Sequence, residues 1–354
     1  MMKLRDIIGN EILNQINADQ DKTNRDGFPF VSDLRPGSTV LSVFKVHSKR
    51  IQEARDGKKF LLLTLSDKTG AIRAIDWFNA ERNDSTLEQG MVVRISGRVA
   101  VYEDRIQLNL DSEGIQILQI GQYDYERFMA VTTKDIPRMY DDLLSLVGRM
   151  RDDYIRALLK DIFENDKKFI EKFIVSPAAS KVHHAYKGGL LEHTMSVAEL
   201  CEFFATKYGD SVDGDLLVAG ALLHDIGKVY EYTITPNGIE RTNDGELVGH
   251  IAMGIEMVSK AISKIQGFPR YLQTEIKHLL LSHHGEMEWG SPVIPKTTEA
   301  IVLHMADDLD SKVAQFREIE EREFNGSTAS WSNYDRFLNR RVFMKNRRSG
   351  DSNS

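Results

Sequence analysis

Nine of the ten histidines in this 354-residue chain lie between His183 and His304. In order come His193 in Gly188-Gly189-Leu190-Leu191-Glu192-His193-Thr194 and the adjacent pair in Leu222-Leu223-His224-Asp225-Ile226-Gly227-Lys228. His250, the pair His283-His284, and Asp307 in His304-Met305-Ala306-Asp307-Asp308-Leu309-Asp310 follow. Neutral imidazole and carboxylate are donors that a divalent first-row metal accepts, and one carboxylate can reach two ions. Such a set suits phosphate-ester hydrolysis, in which ions activate water and clamp phosphoryl oxygens without a protein nucleophile. Lys228, a compact ammonium shortly after the His-Asp pair, suits electrostatic stabilisation of the phosphate.

Taken singly, each histidine is more often a hydrogen-bonded structural residue than a ligand. His278 and His304 are read that way. His184 and His284 stand open between phosphate contact, hydrogen-bonding support of a ligand, and packing. Asp307 is preferred over its neighbours because it follows Ala306 on an apolar helix face, leaving Asp308 solvated and Asp310 a possible orienting partner. Lys228 alone would be an ordinary helix-end cation. The ordered set, not any member, carries the reading.

The elements that must position these groups are helical. Apolar spacing at Leu143, Leu144, Leu146, Val147 and Met150, then Ile155, Leu158, Leu159, Ile162 and Phe163, predicts helices from Pro137 to about Glu321. The run before His224 reads as a helix ending at the His-Asp pair, with Gly227 as a C-terminal glycine signal. Ahead of this region the period changes. Residues 40–46, 59–65, 71–78, 91–101 and 105–110 read as strands separated by Asp56-Gly57, Asp67-Lys68-Thr69-Gly70 and Glu88-Gln89-Gly90, a small five-stranded barrel. The expected division is a helical appendage at 1–30, the barrel domain at 31–120, a linker at 121–136, the helical domain at 137–325, and a C-terminal segment and tail at 326–354. Trp331, Tyr334, Phe337, Leu338, Val342 and Phe343 could cover a second copy or their own domain, which leaves a homo-oligomer open.

A barrel of this kind can bind single-stranded nucleic acid through aromatic and basic side chains. Phe60, Arg73, Trp77, Arg98 and Tyr102 are the candidates, with Phe78, Arg94 and Arg105 beside them. The competing assignment is core packing for the phenylalanines and a solvated face for the arginines. A net charge of -7 excludes a uniformly basic binder but not a local basic face. The 41% hydrophobic and 28% charged content is that of a soluble globular chain. Cys201, the lone cysteine, excludes an intramolecular disulfide and reads as a buried apolar residue. No apolar run is long enough to suggest a signal peptide or membrane span, so the cytoplasm is the expected location.

The order His, His-Asp, His, His-His, Asp resembles the HD-domain superfamily in its two-metal form. The resemblance implies one metal held by His193, His224, Asp225 and Asp307, with Asp225 bridging to a second held by His250 and His283. A barrel followed by this domain is similar to the YhaM-type 3′-to-5′ exoribonucleases. That likeness runs through Pro177-Ala178-Ala179, His183-His184-Ala185-Tyr186-Lys187, Gly249-His250-Ile251, Ser282-His283-His284-Gly285, Gly290-Ser291-Pro292-Val293 and Glu299-Ala300. It implies a multidomain α and β fold: an N-terminal five-stranded OB-like β-barrel followed by an all-α HD domain. It further implies an enzyme, with Asp225 and Lys228 catalytic, that degrades single-stranded RNA, or single-stranded DNA, to nucleoside monophosphates. Two divalent ions are implied, manganese first, with iron or cobalt as alternatives. An HD phosphodiesterase acting on a small nucleotide or cyclic dinucleotide is the second reading, and the barrel argues against it. A non-catalytic nucleic-acid-binding protein is the third, and the full ligand set argues against that. Residues 1–30 and those after Met344 fall outside the likeness.

Overall fold

A computed structural model describes residues 2–20, 27–102, 105–180, 184–235, 238–324 and 330–344. His183, the Arg105 side chain and the tail from 345 lie outside the described part. The chain forms two compact units, one of residues 1–20, 132–233 and 239–354, the other of residues 21–131 and 234–238. Helix α1 (Leu4–Gln20) belongs to the first, where Leu4, Ile8 and Ile16 are buried in the helical core.

The second unit is a closed barrel. Strands β1 (Thr39–Glu53), β2 (Lys59–Asp67), β3 (Gly70–Asp76), β4 (Val92–Tyr102) and β5 (Arg105–Leu118) close in the order β1-β2-β3-β5-β4. All neighbours are antiparallel except β3 and β5, where Arg73 lies opposite Gln107 in parallel. Alternation sends Leu61, Leu63 and Leu65 inward, and all three are fully buried. This is the OB-type barrel expected. Strands β1 and β5 outrun their apolar cores because backbone pairing continues through polar residues: Lys49 to Glu53 still pair with Leu63 to Lys59. Strand β3 ends sooner than predicted. The Asp76 carboxylate accepts from Phe78 N at 2.8 Å and Asn79 N at 3.0 Å, a side-chain turn that takes Trp77 and Phe78 out of the ladder. Helix α2 (Ala80–Thr86) follows; with only Ala80 buried it leaves no apolar period to read. Gly97 sits at a β4 bulge where a Cβ would stand 2.4 Å from Asn109 O.

In the first unit follow α3 (Ile136–Arg149), α4 (Asp153–Lys160), α5 (Lys167–Phe173), α6 (Gly189–Tyr208), α7 (Gly214–Leu223), α8 (Lys228–Glu231), α9 (Asn243–Leu247), α10 (His250–Ser263), α11 (Arg270–Ser282) and α12 (Thr298–Phe324). Asp135, Asp152 and Asp213 cap α3, α4 and α7 by accepting from backbone N–H groups of the first turn. Helix α7 is apolar on every face, and buried residues from Leu216 to Leu223 pack it against α4, α6, α11 and α12. It is the central rod on which the His-Asp pair ends. Two short ribbons complete the chain: β6 (Tyr232–Thr235) with β7 (Gly238–Arg241), and β8 (Trp331–Asp335) with β9 (Arg340–Phe343). In the last ribbon Leu338 and Val342 pack on Phe316 and Ile319 of α12 in the same chain, while Trp331, Tyr334, Phe337 and Phe343 are exposed. No helix among the described residues is long and apolar enough to cross a membrane.

Candidate functional site

Five helices or their ends bring the six predicted donors together. His193 comes from the second turn of α6, and His224 and Asp225 from the turn after α7. His250 opens α10, His283 caps the C-terminus of α11, and Asp307 projects from α12. Gly227 is not the left-handed C-cap that the sequence suggests: its φ is -65°. Glycine is needed there for closeness, because a Cβ would stand 2.0 Å from His250 O.

Asp225 is the centre, 2% exposed. Its Oδ2 lies 3.4 Å from His193 Nε2 and 3.3 Å from His224 Nε2, and His193 Nε2 lies 3.2 Å from Asp307 Oδ1. The other oxygen, Oδ1, lies 3.5 Å from His250 Nε2 and 3.6 Å from His283 Nε2. One carboxylate thus faces two donor sets.

The imidazole tautomers follow from their partners. His224 Nδ1 donates to Ala221 O and His283 Nδ1 to Leu280 O, each at 2.8 Å. Nδ1 of His193 donates to Asp310 Oδ2 at 2.7 Å, and that of His284 to Trp289 O at 3.1 Å. Carbonyls and carboxylates only accept, so each Nδ1 carries a proton, and the neutral form of each ring then presents a bare Nε2. Bare Nε2 atoms converging on carboxylates are metal donors held in orientation by outer hydrogen bonds. Among the described residues, Asp225 Oδ1, His250 Nε2 and His283 Nε2 are buried without a hydrogen-bond partner, the deficit that cation coordination removes. The residues therefore fit a divalent metal, and His250, His283 and His284 also form a group whose donor atoms lie close enough to share an ion.

Electrostatics agree. Burial pushes His283 well below the usual imidazole range, reinforced by His284 and His224, so the ring stays neutral. Burial alone would raise Asp225, but Lys228 and His224 hold its carboxyl well below the usual range. Asp307 is likewise lowered against burial, mainly through His193 and the charge of His224. For His193, burial opposes protonation but is outweighed by Asp225, Asp307 and Asp310; the cluster calls for positive charge. Lys228 Nζ pairs with Asp225 Oδ2 at 2.6 Å, and this partner raises its pKa despite burial.

Asp310 and His184 sit behind the donors. Asp310 accepts from His193 and from Ser196 Oγ, and faces His184 Nε2 at 3.0 Å. His184 Nδ1 meets Tyr186 OH at 2.9 Å, and that hydroxyl donates to Glu192 at 3.0 Å. Glu231 was missed by the sequence reading: 2% exposed, it faces His250 Nδ1 at 3.0 Å as Asp310 faces His193. An acidic residue inside Lys228-Val229-Tyr230-Glu231, between two predicted ligands, was its only signal. His304 Nδ1 donates to His283 O at 2.9 Å, so it supports the ligand loop, and His278 Nε2 accepts from Lys296 N.

On the barrel the predicted residues form two groups. Phe60 and Trp77 pack with ring centroids 4.5 Å apart and planes tilted by 35°, with Lys58 Nζ 5.9 Å from both the Trp77 and Phe78 rings; Phe78 is 61% exposed, not core. Arg73, Gln107, Asn109 and Arg98 form a polar strip across β3, β5 and β4. Tyr102 is exposed at the end of β4. Arg94 instead packs over Phe28 and bonds Gln116 at 3.1 Å.

Comparison with known proteins agrees with both units. Residues 190–312 match the HD domain, a family that implies dependence on divalent metal, and residues 45–118 match an OB-fold nucleic acid binding domain. The 3′-5′ exoribonuclease YhaM of Bacillus velezensis is 34% identical over 295 residues, covering 81% of this chain and 89% of that protein. Its namesake in Bacillus subtilis (strain 168) is 34% identical with the same coverages, and that of Halalkalibacterium halodurans is 32% identical over 81% of this chain and 87% of that one. With the six donors, His193 to Asp307, inside the HD match and these relatives covered over most of their length, this chain belongs to the YhaM family of 3′-5′ exoribonucleases.

Proposed function

We propose that this enzyme removes nucleoside 5′-monophosphates from the 3′ end of single-stranded RNA at a two-ion centre. The observation that carries the reading is Asp225, whose two oxygens face separate sets: His193, His224 and Asp307 on one side, His250 and His283 on the other. Bound divalent ions, manganese in the first instance, supply the Lewis acidity that activates water and neutralises the phosphoryl oxygens. In the hydrolysis, water oxygen bonds to phosphorus, the P–O3′ bond breaks, and the upstream 3′ oxygen takes a proton. Asp310 and Glu231 hold His193 and His250 in the donor tautomer. An ammonium has three N–H donors, so Lys228 can serve phosphate oxygens as well as Asp225. His284 keeps its bare Nε2 on the same side. The barrel's Phe60–Trp77 pair and basic strip suit single-stranded nucleic acid without sequence preference.

The test is single-stranded RNA labelled at either end, incubated with manganese and the wild type or Asp225→Ala. A 3′ label released at once as monophosphate, a 5′ label shortening stepwise, and no cleavage by the variant are expected. RNA left intact beside a hydrolysed cyclic dinucleotide would overturn the exonuclease reading. One bound ion per chain at saturation would overturn the bridged pair. Single-stranded DNA in the same assay is expected to be cut as well.

A further inference from the structure

The cleft leading to the metal centre has a volume of about 580 Å³, the size of a small-ligand site. Half-buried Lys228, His284 and Asp307 line it together with the exposed, outer residues Trp289, Phe337 and Arg340. Hydrolysis requires none of the outer three.

The two aromatic rings are displayed and firmly held. Trp289 is 57% exposed and ends a short 3-10 turn, Met287–Trp289. Its carbonyl accepts from His284 Nδ1, and its ring lies 6.0 Å from that of His304, which bonds His283 O. The indole is thereby tied to the His283-His284 pair. Phe337 is 69% exposed, at the turn between β8 and β9. Asp335 Oδ1 accepts from both Phe337 N and Leu338 N at 2.9 Å, and Leu338 is buried against α12. The turn cannot fold Phe337 inward without losing that anchor. Two solvent-facing rings on backbone-anchored turns, lining one cleft, match a planar partner with apolar faces and polar edges. Arg340 is exposed beside them, its Nε donating to Leu338 O, and a guanidinium there matches a phosphodiester.

We propose that Trp289 and Phe337 seat the 3′-terminal nucleobase of the RNA, with Arg340 on a backbone phosphate, so that the enzyme selects its end by a stacked base. The proposal rests on the exoribonuclease reading. Because every base has a π-face, the seat tolerates all four and rejects an end that lacks a base.

The test uses the full-length manganese-loaded enzyme and two otherwise identical oligoribonucleotides, one ending in adenosine and one in an abasic ribose. The wild type is expected to favour adenosine by about tenfold or more in kcat/KM, chiefly through KM, the scale of one lost base stack. Trp289→Ala with Phe337→Ala should abolish the preference, and Phe337→Ala alone should reduce it while hydrolysis of the abasic oligomer stays within about twofold. Phe337→Trp, alone, should keep it. Melting temperatures near the wild type are expected, since both rings are exposed. A preference that survives in the double variant overturns the seat. So does equal loss on both oligomers, which would mark the rings as supports of the metal centre or of self-association. A wild type that leaves both oligomers intact sinks the exoribonuclease reading itself, a result distinct from either.

Discussion

Asp225 does two jobs whose energies can be separated. It faces both donor sets and, itself buried, it neutralises the half-buried Lys228 at 2.6 Å. Removing one member of a buried ion pair costs about 3–5 kcal/mol, whereas replacing both by apolar groups can be neutral. Metal-free Asp225→Ala should therefore unfold at lower urea concentration by roughly that free energy, and Asp225→Ala with Lys228→Met should recover most of the stability and none of the activity. Chemical denaturation beside an RNA assay checks both halves. Glu231 acts through another residue. Glu231→Gln should weaken metal affinity about 10- to 100-fold, the usual effect of losing an orienting carboxylate, as read by chelator competition. A wild-type affinity in that variant would remove Glu231 from the site.

At the scale of elements, the tight spot is the crossing of the turn after α7 with the start of α10. A Cβ on Gly227 would meet His250 O at 2.0 Å and Gly254 N at 2.9 Å, all backbone atoms that cannot swing away. Gly227→Ala should cost about 1–3 kcal/mol or more in denaturation and lower the number of ions bound per chain, because His250 must move. The sequence reading found this glycine and gave it the wrong reason: closeness in space between residues 227 and 250 leaves no trace in local spacing. The histidine order was legible because each donor sits on, or just past the end of, an amphipathic or apolar helix, and such helices announce themselves through period. Glu231 was not, since its burial depends on partners, Arg241 and His250, that only the fold supplies. Nor was the β8–β9 ribbon, whose alternation is short and whose aromatic residues face outward. In the barrel the five strands were legible, but their ends were set by the Asp76 turn and by pairing through polar residues.

For the molecule as a whole, a net charge of -7 repels RNA at long range, so binding depends on local features. Phe60→Ala with Trp77→Ala should weaken binding of a long single-stranded RNA by about 1–3 kcal/mol per base stack lost, and leave cleavage of a dinucleotide nearly unchanged. Equal losses on both substrates would place the barrel's role elsewhere. Metal binding should also stabilise the helical unit, because ions that bind only the folded state raise its melting temperature with their concentration. A chelator-treated sample melting at the same temperature as the manganese-loaded one would contradict the orphaned donors around Asp225.

Helix α12 carries Asp307 and Asp310 near its middle, and Phe316 and Ile319 further along hold the terminal ribbon. Its two stretches should consequently differ in what descent can do to them. A deletion of one residue between Ala306 and Asp310 turns everything beyond it by about 100°, enough to part the ligand from the acid that orients His193. Past Ile319 the same shift would move only the ribbon held by Phe316 and Ile319 and leave the Asp307–Asp310 spacing unchanged.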